Sequence, residues 1–158
     1  MAKEKLGFED FISLVDSDNQ LFVTKLHMEL TDKGCKIQVK EAKSGYAVAY
    51  LLNKKTLANY VFRKKGLILR IYANHINDYM EILDDLPNEM IVSVKKAPVC
   101  KCLIDPATYN QKCAKGYDFI LKGERQQKCR YHAFMFLVND ESKPFIHNFV
   151  INEVMARL

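Results

Sequence analysis

The chain has 158 residues, of which 49% are apolar, enough to build the core of one domain and too many for a disordered segment. No apolar run approaches the roughly 18 residues needed to cross a bilayer, so a membrane-spanning protein is not expected. Its net charge is +5 and it has five cysteines, an odd number that counts against a framework made only of disulfides. The first residues, MAKEKLGFED, are charged and lack a signal-peptide core, which predicts a cytoplasmic protein with reduced thiols.

Phe8, Phe11, Ile12 and Val15 recur at helical spacing. Ser17-Asp18-Asn19-Gln20 has the form of a capping box and predicts a second helix from about Asp18, with Phe22, Leu26 and Leu30 as its apolar stripe and Gly34 as its stop. The period then changes to alternation. Cys35, Ile37 and Val39 interleave with Lys36, Gln38 and Lys40, the pattern of a strand with one wet face. Turns at Lys43-Ser44-Gly45, Asn53-Lys54-Lys55 and Lys64-Lys65-Gly66 separate three further strands at 46–52, 57–63 and 67–72, an antiparallel meander of four. Ile76, Tyr79, Met80 and Leu83 give another helical stripe, and Pro87 opens a short helix through Val94 that Pro98 ends. A loop at 98–116 has little periodicity. A second hairpin follows, with strands at 117–121 and 127–138 about the turn Lys122-Gly123. Asn139 or Asp140 caps a final helix whose inner face is Ile146, Phe149, Val150 and Val154. The expectation is one α+β domain over residues 1–158, a mostly antiparallel sheet (four-strand meander plus C-terminal hairpin) covered by helices. Residues 127–138 are apolar on both faces and read as a central strand covered on both sides.

Charge is unevenly spread. Residues 95–130 hold nine basic side chains against three acidic, a net +6 that leaves the rest of the chain at −1. Residues 42–77 hold seven basic side chains and no acid. Lys54, Lys55, Lys64, Lys65, Arg70, Lys101 and Lys112 are therefore candidate anion-binding residues, for nucleic acid, another polyanion or an anionic small molecule. The competing explanation is a set of solvated turns and strand faces whose lysines discourage edge pairing.

Four of the five cysteines, Cys100, Cys102, Cys113 and Cys129, fall inside this basic segment, with His132 beyond the last. Thiolates are strong zinc ligands, so these four are candidate metal ligands and zinc the candidate cofactor. The spacing C-x-C-x10-C-x15-C-x2-H lacks the paired C-x2-4-C ends of strong zinc signatures. On a regular strand Cys129 and His132 point to opposite faces, which leaves His132 out. Cys35 and Cys129 equally suit simple burial, because free cysteine packs as a small hydrophobe. The C-x-C pair beside Lys96, Lys101 and Lys112 also admits a thiol-redox enzyme, although no neighbouring base or oxyanion donor is evident and no catalytic residue is assigned.

Asp105-Pro106, Asn110, Cys113, Gly116-Tyr117 and Lys128-Cys129-Arg130-Tyr131 resemble a small uncharacterised family of anaerobic Gram-positive bacteria, over about residues 98–138. In that family a further cysteine stands where this chain has Tyr109, so this chain departs there, and the resemblance implies no particular activity. The order of elements is similar in layout to frataxin-like α+β domains, an analogy of architecture only.

The four histidines form no H-x3-H or HExxH group, and the six glycines are isolated, each assigned to a turn or a helix end. Glu81, Asp84 and Asp85 read as the solvent face of a helix. Tyr46, Tyr50, Tyr60 and Tyr72, with Arg70, would line a small-molecule pocket if they share a sheet face, or simply pack. Single-stranded nucleic-acid readers pair basic grooves with exposed rings, but no RNP-type motif is present. The expected role is a non-enzymatic binding or regulatory module whose cysteine-bearing half holds the functional surface, with polyanion binding and thiol-redox chemistry as alternatives.

Overall fold

A computed structural model describes residues 6–43, 45–104 and 115–158. The Gly7 N–H donates to the Asp10 carboxylate at 2.8 Å and so fixes the start of α1 (Phe8–Ile12). α2 spans Ser17–Asp32. The Ser17 capping box does not form. Asp16 is the cap residue, without a side-chain bond to the helix, and the Gln20 amide instead donates to the carbonyls of Ile12 and Val15, tying α2 back to α1. The buried stripe of α2 is Asn19, Val23, Leu26 and Leu30, with Phe22 at its margin.

The four-strand meander is present as β1 (Lys36–Ala42), β2 (Gly45–Leu52), β3 (Lys55–Arg63) and β4 (Gly66–Ile71), all antiparallel. Its β2–β3 turn is the pair Asn53-Lys54, both at positive φ (53° and 69°), the mirror-image turn whose twist matches that of the flanking strands. Register sorts the faces. Val48 lies opposite Tyr60, which lies opposite Leu69, and these with Tyr50, Ala58 and Ile71 face inward. Ala49, Asn59 and Arg70 alternate to the outer face.

Residues 76–85 form two 3-10 helices, Ile76–Asp78 and Met80–Asp85, where an α-helical stripe was expected. The spacing of Ile76 and Tyr79 serves three residues per turn as well as 3.6, and the Tyr79 and Ile82 N–H groups bond three residues back. α3 (Asn88–Lys96) follows, then one turn of helix, α4 (Lys101–Ile104).

The largest departure concerns residues 127–138, which are not one strand. β5 (Tyr117–Leu121) and β6 (Glu124–Lys128) form a separate two-stranded sheet, extended by the pairing of Val99 with Lys128. The Cys129 carbonyl then accepts the N–H groups of both His132 and Ala133, a tight turn that ends β6. The chain re-enters the main sheet as β7 (Met135–Leu137), beside β4. The sheet order is β1-β2-β3-β4-β7, so this segment is an edge, not a central strand. Its apolar density has another cause. Phe134 sits in the turn, fully buried among Tyr117, Phe119 and Phe149, and so joins the hairpin, the main sheet and the last helix.

α5 (Lys143–Arg157) buries Ile146, Phe149, Val150 and Val154, the inner face read from sequence. Asn139 and Ser142 hold its entry reciprocally through Asn139 N–H to Ser142 Oγ and Ser142 N–H to Asn139 Oδ1. α1, α2 and α5 close the inner face of the sheet through pairs such as Phe11 with Tyr60, His27 with Tyr50 and Phe149 with Phe136. The architecture is α+β, as the periodicities predicted. No helix among the described residues is long and apolar enough to cross a membrane.

Candidate ligand-binding groove

Register places three of the tyrosines proposed as a pocket, Tyr46, Tyr50 and Tyr60, on the inner face of the sheet and leaves Tyr72 on the outer one. Tyr50 and Tyr60 are core residues, Tyr72 is buried, and only Tyr46 is half-exposed. Burial pushes the Tyr50 and Tyr60 hydroxyl pKa values well above the usual range for tyrosine. Tyr50 exchanges a 2.9 Å hydrogen bond with His27 Nδ1, while the Tyr60 hydroxyl has no partner among the described residues. Tyr50 and Tyr60 therefore pack in the core.

The basic residues are likewise separated. Lys54 and Lys55 stand at one end of β3 and Lys64 and Lys65 at the other, about 25 Å apart for a nine-residue strand. Arg70 lies between them on the outer face, where its Nε donates to the Tyr131 carbonyl at 2.7 Å. Several charges of the +6 segment are spent internally. Lys128 is buried and donates to the Lys95 and Ala97 carbonyls at the C-terminal end of α3, the end a cation favours. The Arg130 guanidinium lies over the rings of Tyr72 and Tyr117. Arg125 pairs with Asp118 at 2.6 Å and holds that carboxyl below the usual carboxylate range. Lys112 lies outside the described residues.

Cys113 also lies outside the described residues. Cys100 and Cys102 are buried and Cys129 is half-buried. The bonds Cys100 N–H to Gln127 O and Cys129 N–H to Pro98 O put Cys100 and Cys129 on the same face of the short ladder centred on Val99 and Lys128, on its diagonal. The Cys100 sulfur accepts the Gly116 N–H at 3.2 Å. Because Cys129 and His132 are joined by a turn, the strand alternation that excluded His132 does not apply. Among the described residues no group of three or more His, Cys, Asp or Glu is gathered tightly enough to hold a metal ion.

A polar centre that the sequence reading missed lies under α5. Glu153 is fully buried, and its carboxylate accepts four hydrogen bonds: from the His75 N–H (3.0 Å), His75 Nδ1 (2.9 Å), the Tyr79 hydroxyl (2.5 Å) and Arg157 Nε (2.7 Å). Arg157 goes on to the carbonyls of Tyr72 and Thr56. The cluster ties α5 to the ends of β3 and β4. Glu153 follows Phe149 by four residues and Val150 by three, and a lone acid at helical spacing from that inner stripe is its only signal in the sequence.

A concavity lies elsewhere, between α3 and β7. Ser93 Oγ donates to the Met135 carbonyl, and just beyond α3 the Pro98 carbonyl accepts the Cys129 N–H at the start of the turn that leads into β7, so α3 and β7 run antiparallel with a cleft of about 790 Å³ between them and the outer face of β4. Ile68, Val92, Met135 and Leu137 supply its apolar surface, and Val92 is 44% exposed. Lys96 and His132 stand at the end where α3 finishes, and Glu89, Glu141 and Lys65 at the end where it begins. A cleft of several hundred Å³ with apolar walls and a few polar groups has the general character of a ligand site.

No family model, curated protein or solved structure matches the chain.

Proposed function

We propose that this chain is a non-enzymatic binding module and that the groove between α3 and β7 is its ligand site. The observation that supports this reading is the groove's composition. Val92, Ile68, Met135 and Leu137 remain accessible at the margin of a sheet whose other face carries the core, between ends of different charge. Binding of the fluorescent apolar probe anilinonaphthalene sulfonate tests the proposal. Val92 is exposed, so Val92→Arg should leave the melting temperature unchanged and abolish most of the probe signal. An unaltered signal in this variant overturns the assignment of the groove.

Zinc binding is a second reading, supported by Cys100 and Cys129 sharing one face of their ladder. Elemental analysis of protein purified without added metal tests it, with one zinc per chain, lost in Cys100→Ser, as the expected result and a metal-free chain as the contrary one.

A further inference from the structure

The edge of β7 is chemically one-sided. Its ladder with β4 uses the backbone groups of Phe134, Phe136 and Val138, as the bonds Ile71 N–H to Phe134 O and Val138 N–H to Leu67 O indicate. Alternation therefore turns the N–H and C=O of Met135 and Leu137 away from β4. Both of those carbonyls are already engaged, Met135 by the Ser93 hydroxyl at 2.9 Å and Leu137 by the Ser142 hydroxyl at 2.6 Å. The two N–H groups have no hydrogen-bond partner among the described residues. The groove thus carries two backbone donors about 7 Å apart, the repeat of alternate residues in an extended chain.

Resting on the assignment of the groove as the ligand site, we propose that its occupant is an extended peptide segment. It lies antiparallel to β7, with two alternate carbonyls accepting from the Met135 and Leu137 N–H groups. Addition of a strand to a sheet edge is an established mode of peptide recognition, in which main-chain bonds give affinity and flanking side chains give specificity. Antiparallel pairing is the more stable geometry. It sets the peptide's N-terminal end beside Glu89 and Glu141, where Lys65 leaves a net charge of −1, and its C-terminal end beside Lys96 and His132. The matching segment is basic first, apolar in the middle and acidic last. α3, nine residues and about 13 Å long, flanks roughly four extended residues.

The test uses two capped peptides of identical composition, acetyl-Lys-Leu-Val-Leu-Thr-Asp-amide and acetyl-Asp-Leu-Val-Leu-Thr-Lys-amide, titrated into the full chain. The first should bind about tenfold more tightly, since exposed charge pairs contribute modestly and two are matched against two mismatched. Lys96→Glu should remove that preference. At saturation, hydrogen exchange at the Met135 and Leu137 amides should slow at least about tenfold. Equal binding of the two peptides, preference for the reversed order, or binding without protection of these amides overturns the proposal. If anilinonaphthalene sulfonate binds in the groove and neither peptide does, the peptide inference falls and the groove assignment stands. If Val92→Arg also leaves that probe unaffected, both fall.

Discussion

Replacing Glu153 with alanine should be among the most damaging single changes in this protein, and the size of the loss follows from what is left behind. The carboxylate satisfies four donors. The His75 ring is 41% exposed and can recover a partner from water. The Tyr79 hydroxyl and the Arg157 guanidinium, whose side chain is 6% exposed, cannot do so without opening the structure. An unsatisfied buried donor costs about 1–3 kcal/mol, and an abandoned buried charge brings the total to about 3–5 kcal/mol. For a chain of this length each kcal/mol shifts the melting temperature by about 2–4 °C, so a fall of about 6–20 °C is expected. Arg157→Met should cost less, because His75 and Tyr79 still donate to the carboxylate. Denaturant titrations of the two single variants and the double variant should give a coupling of at least about 1 kcal/mol. A Glu153→Ala protein within about 1 kcal/mol of the parent, or additive single effects, would refute the reasoning.

Tyr60→Phe should stabilise the fold by about 1 kcal/mol, seen as a higher denaturation midpoint, because it removes a buried hydroxyl with no partner among the described residues; a loss of stability would mean that the hydroxyl is satisfied. Gly116→Ala should destabilise the protein by several kcal/mol and weaken the pairing of 98–100 with 127–129, since a Cβ there would stand 2.0 Å from the Lys128 carbonyl oxygen; unchanged hydrogen exchange at Cys100 and Cys129 would contradict this. His27, stacked on Phe8 and bonded to Tyr50, has its pKa held below 6.5, by burial first, with Glu9 opposing. The unfolded chain therefore binds the extra proton more readily, and the His27 contribution is full above pH 6.5 and shrinks as pH falls through the folded-state pKa. Comparing melting temperatures of the parent and His27→Gln from pH 7.5 to about pH 5 should show a shallower acid decline in the variant, and parallel curves would disprove the point.

The fold was legible wherever one residue period persisted. β1 to β4 and the inner stripe of α5 follow directly from alternation and from the spacing of Ile146, Phe149, Val150 and Val154. The reading failed where two structural roles met in one apolar run. Residues 127–138 look continuous, yet the double use of the Cys129 carbonyl breaks them into strands of two sheets, and that tertiary event has no periodic trace. Gly116 was assigned to a turn, whereas the close approach of Lys128 and Cys100 requires it. Charge misled for a related reason. Lys128 and Arg130 count as surface cations in a sequence, but one caps a helix end and the other covers two rings. The groove was not legible because each of its walls is half of an amphipathic element. Val92 and Leu137 are unremarkable until the antiparallel placement of α3 and β7 brings them together.

The central claim is that this module binds its ligand between α3 and β7, and methyl-resolved nuclear magnetic resonance tests it most directly. In a titration of the full chain with anilinonaphthalene sulfonate, shifts should concentrate on the methyl groups of Ile68, Val92, Met135 and Leu137. Leu21 and Met28, apolar residues exposed on α2, should stay unchanged. Shifts that favour the α2 residues, or that spread evenly over the exposed methyls, would contradict the account.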